Sequence, residues 1–406
     1  MTEEIQTDVA CIGGGPASAF AAMEILKSRK NTVDIFEEHK EIGVPVNCAG
    51  LVSINGFRRL QIKIPDECIQ HRVRGSIFYS PSGYTVRVSR KKTQAYVLDR
   101  AKFDKFLMSQ VEELDGKVHL NAKVISIIKK DEKAIGLKVK KEENIIKIKS
   151  KIVLDGEGVR TKFIKVMGLT PTRWDTLVPA VQYEMKNVKI DEDFVEIYMG
   201  RKISPGFFAY IIPTSNNTAR IAIGSKFGKP KDYLNYFINK HPIASKKLKN
   251  GIIYQKGGGF LHLRGPIKKT YAPGFMGIGD SVGQVKATTG GGIVFGGLCA
   301  KIAGKVSKDA IEKNEFSGNI LKKYEIEWHR LYLRELRLMR ILRGTVDSMP
   351  DKIIDELFLS LSKEGIPELI EEIGDMDMQG ALIKRVLFSP KILKIGIATL
   401  TRIFLR

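Results

Sequence analysis

The sequence has few of the residues that build metal centres and disulfide frameworks. It contains four cysteines and six histidines among 406 residues, and neither type recurs at the spacing of a zinc site or a disulfide scaffold. The cysteines are scattered at Cys11, Cys48, Cys68 and Cys299. Isolated cysteines are typical of a reducing compartment. We therefore expect a cytoplasmic protein without a metal site.

Long apolar runs are also missing. No stretch reaches the roughly 18 apolar residues that a transmembrane helix needs. The N-terminus passes from acidic residues into a strand pattern without the apolar segment of a signal peptide. We therefore expect any membrane contact to be peripheral.

Acidic residues are too few to balance the basic ones. The chain has 67 Lys and Arg against 45 Asp and Glu, a formal net charge of +22. Such an excess suits nucleic acid, an anionic membrane or acidic substrates. The sequence has no zinc-finger spacing and no aromatic RNA-binding signature, so we expect no nucleic-acid partner. The lysines between residues 129 and 151 alternate with apolar residues, which indicates the solvated face of a hairpin.

The order of the predicted elements indicates an α/β fold, α+β overall. A strand at 5–12, a helix at 17–28 and a strand at 32–36 form a βαβ unit, which implies a parallel sheet. Irregular structure is expected from there to about residue 74. The other predicted elements are a hairpin at 75–88, a helix at 100–114, strands at 117–154, a β-rich region at 178–264 with a helix near 230–240, a strand at 275–278, a helix at 293–306 and helices after about 310.

A glycine-rich turn joins the first strand to the first helix. Gly13 permits the tight turn, Gly15 lets the main chain approach a pyrophosphate, and the helix after Pro16 directs free N–H groups at that anion. Ser18 takes the place of the third glycine and is small enough for close packing. Glu37, 22 residues after Gly15, follows the second strand where a ribose-binding carboxylate is expected; its neighbour Glu38 is the alternative. An acid there favours FAD or NAD over a 2′-phosphorylated cofactor.

A second glycine-rich segment decides between these two dinucleotides. Asp280 follows a short strand, at the edge of the sheet where cofactors bind, and its carboxylate suits the hydroxyls of a ribityl chain. The glycines at 290–292 let the main chain approach a flat ring. The helix that begins near Ile293 directs its positive end there, which favours the negative charge of a reduced flavin. These features indicate FAD.

Together these motifs resemble the geranylgeranyl reductases, a family within the FAD superfamily of para-hydroxybenzoate hydroxylase. The resemblance covers roughly residues 5–300, and the segments at 43–50 and 283–292 are its more specific parts. The segments that carry it are Gly13–Ser18, Glu37, Gly43–Gly50, Tyr96–Arg100, Asp155–Gly156, Gly279–Asp280, Gly283–Lys286 and Thr288–Gly292.

The resemblance implies a set of site residues and a domain division. Val124 would meet the adenine through its main chain, and Phe208, Tyr210 and Ile212 would bind substrate at the positions of a family tyrosine, tryptophan and phenylalanine. The implied FAD contacts are Gly13, Gly15, Ala17, Ser18, Glu37, Cys48, Ala49, Arg100, Val124, Asp280, Gly292 and Ile293. The expected domains are an FAD-binding domain at 1–75, 100–170 and 265–310, an antiparallel-sheet substrate domain at 76–99 and 171–264, and a helical region at 311–406.

Cys48 is the implied catalytic residue, in a loop expected beside the flavin. Its thiol would donate a proton to carbon after hydride transfer, or tune or protect the flavin; the alternative is a small residue that packs against the ring. The expected activity is FAD-dependent reduction of isoprenoid carbon–carbon double bonds, in geranylgeranyl chains of archaeal-type ether phospholipids. The alternatives are a flavin monooxygenase or halogenase acting on an aromatic substrate, and a flavin electron carrier for a ferredoxin-like partner.

The expected partners follow from the same features. The sequence has no second nucleotide fingerprint, so the electron donor stays open among NADPH, reduced deazaflavin and ferredoxin. Residues 388–406 combine basic and apolar residues at helical spacing without an acid. This pattern is typical of a helix that lies on an anionic membrane surface; a docked core helix and a partner-binding helix are equal alternatives.

Overall fold

The computed structural model describes residues 4–363 and 365–387 of the chain. The strands, numbered along the chain, are β1 (Glu4–Ile12), β2 (Val33–Phe36), β3 (Leu51–Ser53), β4 (Ile69–Val73), β5 (Gly75–Tyr79), β6 (Thr85–Ser89), β7 (Ala95–Leu98), β8 (Lys117–His119), β9 (Ala122–Lys130), β10 (Lys133–Lys141), β11 (Asn144–Asp155), β12 (Val178–Lys186), β13 (Phe194–Tyr198), β14 (Ala209–Ser215), β15 (Thr218–Gly224), β16 (Ile252–Leu261), β17 (Tyr271–Ala272) and β18 (Phe275–Gly277). The α-helices are α1 (Pro16–Leu26), α2 (Ile54–Leu60), α3 (Arg100–Glu112), α4 (Lys162–Val166), α5 (Pro230–Asn239), α6 (Ala244–Leu248), α7 (Ile293–Glu312), α8 (Gly318–Trp328), α9 (Arg334–Ser348), α10 (Asp351–Lys363), α11 (Ile366–Ile373) and α12 (Gly380–Leu387).

The chain divides into two compact units. The first contains the N-terminal segment up to Val46, with Arg100–Thr176 and His262–Arg337. The second contains Asn47–Asp99, Leu177–Leu261 and the chain from Leu338 onward. The predicted α/β class with a helical C-terminal part is confirmed. The second large sheet is antiparallel except for the parallel pair β5 and β13. The domain boundaries predicted from the sequence stay predictions.

A parallel sheet forms the centre of the first unit. Its strands follow the order β17-β18-β11-β1-β2-β8, with β9 and β10 extending it through β11. Strands β1, β2, β8, β11 and β18 run parallel. In β1, Val9, Ala10 and Cys11 are fully buried, because a parallel sheet is covered on both faces.

The register of this sheet brings four strand ends to one edge. Ile12 at the end of β1 lies opposite Phe36 at the end of β2 and opposite Asp155 at the end of β11. Asp155 in turn lies opposite Gly277 at the end of β18. The residues that follow these strands, from Gly13 onward in the case of β1, therefore leave the sheet along a common edge.

Helices α1 and α7 pack closely in the first unit, through glycine. A Cβ added at Gly304 would lie only 2.6 Å from the carbonyl oxygen of Ala21 in α1. At Gly296 it would lie 3.3 Å from the Cα of Gly279. These glycines let α7 approach both α1 and the segment after β18.

The second unit is built on a seven-stranded sheet in the order β16-β12-β15-β14-β13-β5-β6, with a small sheet β3-β7-β4. Side chains alternate between its faces. On β14, Ala209 and Ile211 belong to a core that includes Phe237 of α5. Tyr210 and Ile212 belong to a different apolar cluster. Helices α10 and α11 supply Ile354, Phe358 and Ile370 to a third cluster, with Val86 and Val88 of β6.

Two sequence expectations about secondary structure are wrong, and one short helix was missed. The stretch expected to be irregular before residue 75 contains β3, α2 and β4. Helix α7 continues to Glu312, beyond its predicted end near 306, because small buried residues such as Ser307 and Ala310 keep one face packed. The short helix α6 was not predicted. No helix among the described residues is both long and apolar enough to cross a membrane.

Candidate active site

The glycine-rich turn after β1 is held by main-chain bonds to both neighbouring strands. The Gly13 N–H donates to the Phe36 carbonyl (2.9 Å), and the Gly156 N–H donates to the Ile12 carbonyl (3.0 Å). Gly13 has a φ of 85°, and a Cβ there would lie 2.7 Å from the Gly156 carbonyl oxygen. Glycine is required at Gly13 by both conformation and space. By contrast, the space around a Cβ at Gly15 is open to 4 Å.

The open side of Gly15 lies at the N-terminus of α1. No side chain of the described residues caps this helix end, so its first N–H groups are available to an anion. The buried Ser18 hydroxyl has no hydrogen-bond partner among the described residues, and a Cβ at Gly156 would overlap it. An open glycine beside an uncapped helix end fits the pyrophosphate of a dinucleotide.

The structure distinguishes the two candidate ribose carboxylates. Glu37 Oε2 accepts a hydrogen bond from the Gly14 N–H at 2.7 Å, so this carboxylate lies directly against the turn. Glu38 instead pairs with Arg160 (2.7 Å) and Lys123 (3.0 Å). Glu37 is therefore the acid that lies at the turn; its role in binding a ribose stays a prediction.

The residues after β18 form a second part of the site. Asp280 lies against Gly292, where a Cβ would overlap its Oδ1, and Ile293 is the first residue of α7. Burial raises the pKa of Asp280 to about 6, and the charge of Arg100 acts in the opposite direction. Arg100 donates through two nitrogens to Asp104 (3.1 and 2.8 Å). Like α1, helix α7 begins without a side-chain cap from the described residues, which suits an anionic ring.

The adenine-side candidate Val124 lies in β9 and packs in one core cluster with Ile12 and Phe36. The Ala122 N–H donates to the Glu37 carbonyl at 2.8 Å, which holds the start of β9 beside the ribose carboxylate. Gly279 has a φ of 66°, and a Cβ added there would lie 2.9 Å from the Ala17 Cβ. The first unit contains Gly13, Gly15, Ala17, Ser18, Glu37, Arg100, Val124, Asp280, Gly292 and Ile293, whereas Cys48 and Ala49 belong to the second unit.

The loop of Cys48 lies over the seven-stranded sheet of the second unit. Asn47 Oδ1 accepts a hydrogen bond from the Gly258 N–H of β16 (3.2 Å). The Gly50 N–H donates to Cys48 Sγ at 3.4 Å, so the partly exposed thiol rests against its own loop. Ala49 and Leu51 pack in one apolar cluster with the substrate candidates Tyr210 and Ile212.

Phe208 lies beside these residues. We use the name apolar wall for the group Phe208, Tyr210, Ile212, Ala49 and Leu51. The ring of Phe208 stacks on Phe207 with centroids 4.1 Å apart and lies 6.4 Å from the ring of Tyr210. The predicted substrate residues are thus grouped on β14 and the segment before it. Their role in binding stays a prediction.

The sequence did not predict a buried polar group that lies beside the apolar wall. Arg220 of β15 and Glu184 of β12 form an ion pair at 2.5 Å, with side chains 3% and 7% exposed. Gln182 lies two positions before Glu184, on the same face of β12. The available signal was a single charged residue inside the apolar strand Thr218–Gly224, because a charge in such a strand is rarely buried without a partner.

Cys48 should be the one cysteine that reacts with iodoacetamide in the folded protein. Cys48 is partly exposed, whereas Cys11, Cys68 and Cys299 are buried. Burial also raises the pKa of Cys11 and Cys299, which keeps them as unreactive thiols. Peptide mass spectrometry after brief alkylation measures this directly; labelling of Cys11 or Cys299 before Cys48 would contradict the described packing.

The fold and this edge of the sheet define the class of the protein. One parallel sheet carries a glycine-rich turn after its first strand, an acid after its second strand and a Gly-Asp sequence after the end of β18. This combination is typical of a flavin-dependent oxidoreductase. The chain is 30% identical over 392 residues to the digeranylgeranylglycerophospholipid reductase of Methanocaldococcus jannaschii, covering 95% of this chain and 96% of that protein. The family model of the geranylgeranyl reductase catalytic domain matches residues 177–260. The chain belongs to the geranylgeranyl reductase family.

Solved structures agree with this assignment. A geranylgeranyl bacteriochlorophyll reductase-like protein of Thermoplasma acidophilum is 27% identical and superposes with a TM-score of 0.82, covering 91% of this chain and 98% of that chain. A flavin-dependent brominase is 16% identical with a TM-score of 0.72, covering 98% and 99% of the two chains. At that identity the brominase shows a shared fold and nothing about the reaction.

Proposed function

We propose that this protein is an FAD-dependent reductase of isoprenoid carbon–carbon double bonds, acting on geranylgeranyl chains of archaeal-type ether phospholipids. The observation that carries this proposal is the apolar wall, most of which lies inside the region that matches the reductase catalytic domain. An isolated alkene offers no polar handle. Its binding must come from burial of apolar surface, worth about 25 cal/mol per Å².

The residues of the first unit would hold the cofactor. Reduced FAD, when bound, supplies a hydride from its N5 position. The turn at Gly13–Ser18 would bind the pyrophosphate, Glu37 would accept from the ribose hydroxyls, and Asp280 would accept from the ribityl chain. In the second unit, the Cys48 thiol holds a proton at Sγ that can pass to the second carbon of the alkene; the alternative role is packing against the ring.

The activity is tested with purified protein and a defined lipid. We expect FAD in the supernatant after denaturation, and we expect reduced protein to add two hydrogens per double bond to digeranylgeranylglycerophospholipid, measured by mass spectrometry. Release of a nicotinamide dinucleotide without flavin would refute the cofactor assignment. Oxygenation or halogenation of an aromatic compound in place of lipid reduction would favour the halogenase alternative. Electron exchange with an acceptor protein and no lipid reduction would favour an electron carrier.

FAD binding should weaken at acidic pH because of Asp280. Burial raises its pKa to about 6, so in the free protein the carboxyl is ionised above pH 6 and protonated below it. A ribityl hydroxyl donates most strongly to the ionised form. The dissociation constant of FAD should therefore be about tenfold larger at pH 5 than at pH 7.

Fluorescence titration of the apoprotein over this pH range measures the effect. In Asp280→Asn the affinity should be weaker at pH 7 and nearly independent of pH between 5 and 7. An unchanged pH dependence in this variant would assign the titration to another group.

The partners follow from charge and chemistry. The net charge of +22 supports contact with an anionic membrane surface, where each Lys or Arg contributes about 1 kcal/mol. The predicted membrane helix at 388–406 lies outside the described residues. Co-sedimentation with anionic vesicles should decrease with salt.

NADPH, reduced deazaflavin and ferredoxin are the candidate electron donors, and stopped-flow reduction of the flavin by each compares them.

A further inference from the structure

We propose that Arg220, with Glu184 as its counter-ion, is a positioning residue that fixes the Cys48 loop for alkene reduction. This inference rests on the proposed function, because it assigns Arg220 to the machinery of that reaction. Arg220 would act through the loop and does not itself need to touch the substrate.

The guanidinium of Arg220 uses every one of its three nitrogens in this position. Nε donates to Glu184 Oε1 (2.5 Å), Nη1 to the Ala49 carbonyl (2.6 Å) and Nη2 to Gln70 Oε1 (3.1 Å). Because the guanidinium is planar and its N–H groups have fixed directions, these three bonds determine where the Ala49 carbonyl lies. Ala49 directly follows Cys48.

The register of the sheet determines which residues surround the Arg220 side chain. Arg220 lies opposite Glu184 on one neighbouring strand and opposite Ile212 on the other. Its side chain therefore shares a face with both its counter-ion and a residue of the apolar wall. The loop and the wall are thus supported by the same three strands.

The position of Gly50 shows how closely the Cys48 loop approaches the Arg220 guanidinium. Gly50 has a φ of 67°. A Cβ there would lie 2.7 Å from Arg220 Nη1 and 2.7 Å from the Leu98 carbonyl oxygen. The Gly50 carbonyl also accepts from the Leu98 N–H (2.9 Å). Together with the bond from Gly258 to Asn47, the loop is tied down on both sides of Cys48.

The same hydrogen-bond network extends to Tyr210 of the apolar wall. Glu184 accepts from Gln182 Nε2 (3.4 Å), and Gln182 Oε1 accepts from the Tyr210 hydroxyl (3.2 Å). Burial raises the pKa of Tyr210, so the hydroxyl keeps its proton and remains a donor. The orientation of the Tyr210 ring and the position of the Cys48 loop therefore depend on one buried carboxylate.

A second ion pair in this unit, with a buried carboxylate and a partly exposed lysine, provides a comparison. Glu196 pairs with Lys247 at 2.6 Å, and its carboxylate also accepts from Tyr198. Tyr198 belongs to the core that includes Phe237, rather than to the cluster of the apolar wall. Removal of this pair should alter stability without moving the Cys48 loop.

The test compares two double variants of the flavin-loaded, full-length protein. Glu184→Met with Arg220→Met removes the positioning pair, and Glu196→Met with Lys247→Met removes the comparison pair. In the first variant we expect flavin content to be unchanged, kcat for lipid reduction to fall about 10- to 100-fold, and KM to change much less. Alkylation of Cys48 should become severalfold faster, because the loop is released.

The comparison variant should keep the kcat and the Cys48 alkylation rate of the parent protein. If the first variant also keeps both values, Arg220 has a structural role only and the proposal is wrong. Should that variant fail to fold, Arg220→Lys decides. Lysine keeps the charge beside Glu184 but lacks the second arm to the Ala49 carbonyl, so the same loss of kcat and the same faster alkylation are expected; parental values of both would overturn the proposal.

The alkylation rate separates this inference from the proposed function. If the parent protein reduces no lipid, the proposed function fails, while faster alkylation in Arg220→Lys would still show that Arg220 holds the loop. If the parent protein reduces lipid and the variants match it in kcat and alkylation rate, the inference fails alone.

Discussion

Replacing Arg220 alone by methionine should lower the free energy of unfolding by about 3–5 kcal/mol, because it leaves the buried Glu184 carboxylate without a counter-ion. The side chain of Glu184 is only 7% exposed, so water cannot replace the lost partner. The Ala49 carbonyl and Gln70 lose their donor at the same time. For a unit of this size, such a loss lowers the melting temperature by roughly 6–20 °C.

Thermal unfolding of the single and double variants measures this effect. The double variant with Glu184→Met should recover most of the lost stability, because an apolar pair can replace a buried ion pair at little cost. It should nevertheless stay impaired in lipid reduction. A single Arg220→Met variant that melts with the parent protein would show that Glu184 is solvated or paired in another way.

Glu37→Ala should weaken FAD binding by about 1.5–3 kcal/mol, the range of a hydrogen bond to a charged group, which corresponds to roughly 10- to 150-fold in the dissociation constant. Two losses contribute. The ribose hydroxyls lose a carboxylate acceptor, and the buried Gly14 N–H loses the partner that it has at 2.7 Å. The turn that approaches the pyrophosphate is loosened as well.

The neighbouring acid provides the control. Glu38 pairs with Arg160 and Lys123, whose side chains are largely exposed, and exposed pairs of this kind contribute little. Glu38→Ala should therefore bind FAD nearly as the parent protein does. Equal losses in the two variants would mean that the surrounding charge matters rather than a specific ribose contact.

The two units contribute different parts of the proposed chemistry. The first unit carries the glycine turns, the uncapped helix ends and the two acids that we propose bind a dinucleotide. The brominase shares the fold of both units, because its likeness covers 98% of this chain at 16% identity. The second unit carries the apolar wall and the Cys48 loop, and residues 177–260 of it match the reductase catalytic domain. Since one fold supports several flavin chemistries, we expect the identity of the reaction to depend on the side chains of the apolar wall and the Cys48 loop rather than on the fold.

The sequence alone determined the features that depend on neighbouring residues. The strand, glycine turn, helix and strand between Glu4 and Phe36 follow from apolar periodicity and from glycine at a position with positive φ. The family was also predicted from short motifs, and its membership is confirmed over 95% of the chain. Such motifs can be recognised in a sequence because each one consists largely of consecutive residues.

Tertiary structure alone decided which distant residues meet. Of the two adjacent acids, Glu37 reaches the Gly14 N–H, whereas Glu38 pairs with Arg160 and Lys123. The contact of Arg220 with Ala49 spans 171 positions of the chain and depends on the register of β12, β14 and β15. Local periodicity gives the face on which a strand residue lies, but it does not specify the partner strand or its register. A buried ion pair and the loop that it holds therefore become visible only when the sheet is assembled.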